Sequence, residues 1–343
     1  MRSLIRFPMS RPLDFLVFGI PRSGTKGLVR LLNLHPHIYC AMERFGFRED
    51  HSRIRFPESF VDRRGLWDEH DLTKVARLTG ELGGKDDVSC VGNKLPRYYL
   101  ALDRLNREVP ALKNIWIYRS PFGFMQSWNG RERSQKSRWR AGQVGLFGLV
   151  ELFYCIRSVL HLPKDVLLFP FECGLIQSAE PIMETYEFLG VPPTRFDRAA
   201  FETRLSTKPH GTSHRRSLEP YEAELLETLR VRDLDEILAR EHANLVSEVA
   251  PQLQDYMRSV APLLPRALDS AFDACDNLSA SNYGKEFFHR NRQELASFAP
   301  LTEASEAIAS FRRFGFYRRL TFFYEQRRAL RRRLAAIRPP AIR

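Results

Sequence analysis

Residues 19–27 read GIPRSGTKG, with Gly19 and Gly24 five apart and Ser23, Thr25 and Lys26 around the second glycine. A loop that closes onto a helix start presents unpaired backbone N–H groups and the positive end of the helix dipole. Glycines let the backbone approach an anion closely. Arg22 adds a cation, and the hydroxyls of Ser23 and Thr25 add donors, so the chemistry suits a phosphate. The order departs from the Walker loop GxxxxGK[ST], because Thr25 precedes Lys26. The same residues would also make a tight strand-to-helix turn with incidental polar groups. A strand before and a helix after favour the anion cradle.

A second stretch with chemistry is NIWIYRSPFGFMQSW (114–128), an apolar strand ending in Arg119. A Walker NTPase holds magnesium with an aspartate near the end of such a strand. Arginine repels that ion, and no other apolar strand in the sequence ends in a clear magnesium aspartate. A phosphate donor that needs no metal fits better. The five cysteines are scattered, with no CxxC pair and no zinc-type cluster with histidine, so no metal is expected. Glu43 follows the short apolar run HIYCA (37–41), and a carboxylate at a strand's carboxyl end facing a phosphate loop is well placed as a general base. The other reading of Glu43 is a surface carboxylate paired with Arg44 or Arg48. His35 and His37 are competing bases, although His35-Pro36 also reads as a helix stop.

Positioning these groups requires alternating strands and helices. LDFLVF (13–18) reads as a buried parallel strand, TKGLVRLLNLHP as the helix after the loop, and HIYCA as the next strand. Residues 50–87 read as a polar insertion with short helices. A helix is expected over 96–109, a strand over 114–121, a long buried helix over 141–160, a strand over 165–172 and a helix over 179–193. Residues 206–222 read as a donor-rich loop, and the chain is mostly helical beyond it. The expected fold is α/β: a P-loop-NTPase-like central parallel sheet flanked by helices, with a helical C-terminal extension. The expected division is a catalytic domain over 1–250, its nucleotide core over 13–220, and an Arg-rich extension over 251–343.

FGIPRSGTKGLVRLLNLHP resembles the 5′-phosphosulfate loop of sulfotransferases that use 3′-phosphoadenosine 5′-phosphosulfate (PAPS), especially the tyrosylprotein and carbohydrate branches. NIWIYRSPFGFMQSW resembles their 3′-phosphate motif, VGNKLPRYY the segment carrying a lysine before a helix, and DVLLFPFE with AEPIMETYEFLGVP the later strand and helix. The resemblance spans about residues 13–220. It implies sulfuryl transfer from PAPS to a hydroxyl, releasing PAP, with no metal required. It implies that Arg22, Ser23, Gly24, Thr25, Lys26 and Gly27 hold the 5′-phosphosulfate, and that Arg119 and Ser127 clamp the 3′-phosphate. By the same resemblance Glu43 is the base, Lys94 stabilises the departing bridging oxygen, and Arg22 assists at the transferring group. Lys26 is a departure, standing where the family usually has a second threonine. The loop with His210, Gly211, Thr212, Ser213, His214 and Arg215 is expected to close over the nucleotide, or to be an ordinary polar loop. The acceptor expected is a glycan, a glycolipid or another hydroxyl-bearing molecule. Rival readings are a P-loop kinase or other phosphotransferase, and a non-catalytic nucleotide- or membrane-binding relative.

At 343 residues, 43% hydrophobic and 27% charged, the composition is that of a globular protein. Pro8, Arg11, Pro12 and Asp14 interrupt any signal-peptide core, so the expected location is the cytoplasm. The net charge of +12 is concentrated: residues 311–343 hold eleven arginines against one acid, Glu325. That tail reads either as an amphipathic helix for an anionic membrane surface or as a solvated helix packed on the domain. Nucleic-acid binding is not expected, because no such fold is recognisable.

Overall fold

The run LDFLVF forms strand β1 (Phe15–Phe18), all four residues buried. The computed structural model describes residues 10–47, 49–56, 58–61, 85, 88–132, 145–193, 198–207 and 218–274. Five further strands follow: β2 (Ile38–Met42), β3 (Cys90–Lys94), β4 (Lys113–Tyr118), β5 (Val166–Pro170) and β6 (Asn244–Leu245). They form one sheet in the order β2-β3-β1-β4-β5-β6. The first five are parallel, and β6 joins β5 antiparallel.

Side chains alternate across each strand, so each strand serves two cores. Phe15, Val17, Ile115, Ile117, Leu167 and Phe169 face one side. Helices α1 (Thr25–Leu32) and, further on, Glu180–Leu189 cover it with Leu28, Leu32, Ile182 and Tyr186. Leu16, Phe18, Trp116, Tyr118 and Leu168 face the larger core on the other side. In chain order the helices after α1 are α2 (Glu58–Val61), α3 (Leu102–Glu108), α4 (Pro121–Glu132), α5 (Gly145–Leu160), α6 (Glu180–Leu189), α7 (Arg198–Thr207), α8 (Pro220–Thr228), α9 (Val231–Leu238), α10 (Val246–Val260) and α11 (Leu264–Asp273). The parallel sheet covered on both faces is the expected α/β arrangement.

Several elements differ from expectation. VGNK is the end of a strand, β3, that was not expected, so Lys94 stands at a strand's carboxyl end, ahead of the helical turn at Tyr98–Leu100. Its sequence hides the strand because Gly92 gives way to the Phe15 ring, which lies 2.3 Å from where a Cβ would stand, and Asn93 is buried through polar contacts. The helix expected over 96–109 begins as a 3₁₀ turn, Tyr98–Leu100, before α3. Helix α7 enters the segment read as a loop from 206, and α8 leaves it at Pro220. Helix α10 spans residue 250, and the larger core includes residues through Ala271.

Candidate functional site

Four strands end together: β1 at the glycine loop, β2 at Glu43, β3 at Lys94 and β4 at Arg119. The carboxyl edge of a parallel sheet is where α/β folds build their sites. A cavity of about 650 Å³ opens there, lined by Pro21, Arg22, Gly24, Thr25, Lys26, Glu43, Phe47, Lys94, Leu95, Pro96, Arg97 and Arg119.

On the loop side, Gly24 takes φ 94 at the start of α1. A Cβ there would fall 2.3 Å from the Phe171 ring, so this residue must be glycine for conformation and for space. Helix α1 has no side-chain cap and no acidic residue in its first turn. The amides of Gly27 and Leu28 donate to the Gly24 carbonyl. The first-turn amides of Thr25 and Lys26 lie nearer the helix start, where intrahelical partners do not exist. Arg22 also has a left-handed backbone, φ 77. Its carbonyl accepts from Arg119 Nη1 at 3.0 Å, and the neighbouring Pro21 carbonyl accepts from Trp128 Nε1 at 2.8 Å. Arg22 Nε donates to Ser127 Oγ at 3.0 Å. Residues from β4's end and α4 therefore fix the orientation of the loop peptides. Arg119 in turn stacks on Phe171, 4.5 Å from the ring centroid.

Behind Arg119, Asp235 of α9 accepts from Tyr118 Oη at 2.6 Å and Ser120 Oγ at 2.7 Å. These contacts fix both neighbours of the arginine. Burial pushes the Asp235 carboxyl above its ordinary value, against the opposing pull of those two hydroxyls. Burial also raises the Glu172 carboxyl, with Arg119 opposing.

On the far side, Lys94 Nζ donates to Glu43 Oε1 at 2.6 Å. The lysine side chain is 5% exposed and the glutamate 50%, so a buried cation presents a carboxylate to the cavity. Glu43 has φ 57. Phe47, Leu95 and Pro96 give this end an apolar wall, and Arg97, which pairs with the buried Glu151, stands beside it.

Of the predicted residues, Arg22, Gly24, Thr25, Lys26, Glu43, Lys94 and Arg119 share the cavity wall. Ser127 touches it through Arg22. Ser23 and Gly27 do not line it. Ser23 is fully buried with its hydroxyl against Gly19, and its amide donates to the Ile20 carbonyl. Gly27 faces Leu175. His35 is a structural residue: it is buried, its Nδ1 accepts from the His37 amide, and Nε2 donates to the Pro192 carbonyl at 2.9 Å. His210, Gly211, Thr212, Ser213, His214, Arg215 and the 311–343 tail lie outside the described residues. Sequence reasoning missed Phe171, Arg97 and the loop-orienting role of Trp128. The aromatics carried no signal beyond apolarity, and their partners are distant in the chain.

No protein-family profile matches the chain. It is 31% identical over 133 residues to nodulation protein NoeE of Sinorhizobium fredii, spanning 34% of this chain and about a third, 31%, of that relative's length. Among solved structures it is similar to the sulfotransferase domain of the Synechococcus PCC 7002 olefin synthase, at 16% identity and TM-score 0.38, covering 67% of this chain and 95% of that one. It is also similar to sulfotransferase STF9 of Mycobacterium avium, at 17% identity and TM-score 0.36, covering 74% and 77%.

Proposed function

We infer that the chain is a PAPS-dependent sulfotransferase acting on a hydroxyl acceptor. The observation that carries this reading is the convergence, on one cavity, of an uncapped helix start, two arginines and a Glu43–Lys94 pair. The residues fit the donor's chemistry: a glycine cradle that a Cβ would fill, N-terminal amides, and cations of Arg22, Lys26 and Arg119 facing anionic oxygens. PAPS supplies an activated sulfuryl group whose leaving group is the phosphate of PAP.

Glu43 takes the acceptor hydroxyl's proton as the acceptor oxygen bonds to sulfur. The sulfur–oxygen bond to the phosphate breaks, and PAP leaves with the electron pair. Lys94 stabilises charge on that bridging oxygen, and Arg22 neutralises the transferring oxygens. Arg119 and Ser127 serve the 3′-phosphate, so the Arg22–Ser127 contact joins the two phosphate ends. The acceptor we favour is a carbohydrate or glycolipid: Phe47, Leu95 and Pro96 suit the apolar C–H face of a sugar ring beside the base. Residues 311–343, with eleven arginines against one acid, suit an anionic membrane surface that would bring the enzyme to a lipid-linked glycan. Among the described residues no helix is long and apolar enough to cross a membrane.

The test is calorimetry with PAP against ATP/Mg, followed by a labelled-PAPS screen over glycans, glycolipids and peptides. PAP binding with label transfer to a glycan is expected. Tight ATP/Mg binding without PAP binding would overturn the assignment in favour of a phosphotransferase. PAP binding with no acceptor found would favour a non-catalytic relative. Flotation of the full chain and of one truncated near 310 tests the membrane reading, and equal behaviour would sink it.

A further inference from the structure

Strand β2 ends at Met42, opposite Lys94, and the chain then turns through Glu43. The turn needs a left-handed backbone at a glutamate, φ 57. Such a conformation is strained for a non-glycine residue and persists only where its surroundings hold it. The Glu43 amide donates to the Lys94 carbonyl at 2.6 Å. Further restraints come from Asn93. Its Oδ1 accepts from the Arg44 amide at 3.0 Å, and its Nδ2 donates to the Phe45 carbonyl at 3.0 Å and to Tyr98 Oη. The Tyr98 hydroxyl donates to the same Phe45 carbonyl at 2.8 Å, and His51 Nε2 stands 3.2 Å behind it. Asn93 and Tyr98 are fully buried and outside the cavity lining.

We propose that Asn93, braced by Tyr98, is a positioning residue that holds the 43–45 turn and so aims the Glu43 carboxylate into the cavity. A carboxamide is required because the turn offers one donor and one acceptor to a single side chain. Aspartate lacks the donor, and an apolar residue removes the acceptor of the Arg44 amide and leaves the Phe45 carbonyl with the Tyr98 hydroxyl alone. The proposal rests on the reading of Glu43 as the base.

The experiment compares the full chain with Asn93→Ala, Tyr98→Phe, Glu43→Gln and Asn93→Ala/Glu43→Gln. Hydrogen exchange of residues 43–47, PAP affinity by calorimetry, and PAP release from PAPS with water as acceptor are measured. Asn93→Ala is expected to speed exchange over 43–47 about tenfold or more and to lower turnover at least tenfold, with the PAP Kd within about threefold of wild type. In the Glu43→Gln background it is expected to cause no further loss, because a mis-aimed base and a missing base are one defect. Unchanged exchange over 43–47, weakened PAP binding to match the turnover loss, or full multiplicative loss on Glu43→Gln would overturn the proposal. Wild-type turnover in Glu43→Gln would remove the base assignment itself, a distinct result. Should Asn93→Ala fail to fold, Tyr98→Phe removes only a hydroxyl and is expected to show the same pattern more weakly. Wild-type exchange over 43–47 in that variant would likewise overturn the proposal.

Discussion

Replacing Gly24 with alanine puts two separable strains on the anion loop. The first is conformational: φ 94 is a left-handed backbone that costs an L-residue about 1–2 kcal/mol. The second is steric: the new Cβ would sit 2.3 Å from two carbons of the Phe171 ring, and such overpacking costs about 1–3 kcal/mol. Moving the ring also disturbs its stack on Arg119. The sum is about 2–5 kcal/mol, concentrated on the loop proposed to receive the anion. At about 1.4 kcal/mol per tenfold, the PAP affinity of Gly24→Ala falls at least about 25-fold. Calorimetry with PAP measures it, and thermal unfolding shows that the fold remains. In a Phe171→Ala background the ring clash is gone and only a 3.1 Å approach to Leu175 remains, so Gly24→Ala there costs mainly the conformational part, about 5- to 30-fold. A Gly24→Ala Kd within twofold of wild type would refute the reasoning, because neither the left-handed turn nor the close ring approach would then matter to anion binding.

Other variants test separate parts of the site. Glu43→Gln should lower kcat by about 10²–10⁴ with PAP affinity unchanged, as removal of a general base does; equal loss in both measures would mean a binding role. Lys26→Ala should weaken PAPS binding several-fold and Lys26→Thr much less, since Lys26 lines the cavity and either side chain supplies a donor; no change in Lys26→Ala would place it outside binding. Trp128→Phe should weaken PAP binding about 2- to 12-fold by releasing the Pro21 carbonyl, worth about 0.5–1.5 kcal/mol, and an unchanged Kd would remove Trp128 from loop orientation. Asp235 tests a pH effect. Its folded value is raised by burial, so it stabilises the fold below its ordinary 3.8, and that contribution is lost as pH rises through the folded value. Asp235→Asn should therefore flatten the fall of Tm above about pH 4, whereas parallel Tm curves would show that another group dominates.

The glycine loop, β1, β4 and β5 were legible because buried parallel strands are continuous apolar runs and Gly24 sits between a strand and a helix. Glu43 was legible as a carboxylate at a strand end. Its left-handed backbone was not, because nothing in HIYCAMERF marks a turn with glycine or asparagine. Strand β3 was hidden for a related reason: its glycine, asparagine and lysine are buried by a neighbouring ring, a hydrogen-bond network and an ion pair, none of which is local in sequence. The loop donors divided on a geometric point that residue type cannot carry. Ser23 has the right chemistry, but its amide and hydroxyl face the inside of the turn.

The Glu43–Lys94 contact also bears on how the sheet assembles. Strand β2 is an edge strand with a single neighbour, the usual place for pairing errors. A slip of one residue would send Tyr39 and Ala41 to the wrong face. A slip of two would keep the faces and satisfy the backbone, so apolar patterning alone cannot forbid it. It would carry Glu43 about 7 Å along the sheet, beyond reach of the Lys94 ammonium, which would then be buried without its counter-charge at a cost of several kcal/mol. The same ion pair that faces the cavity thus penalises a register slip that apolar patterning would allow.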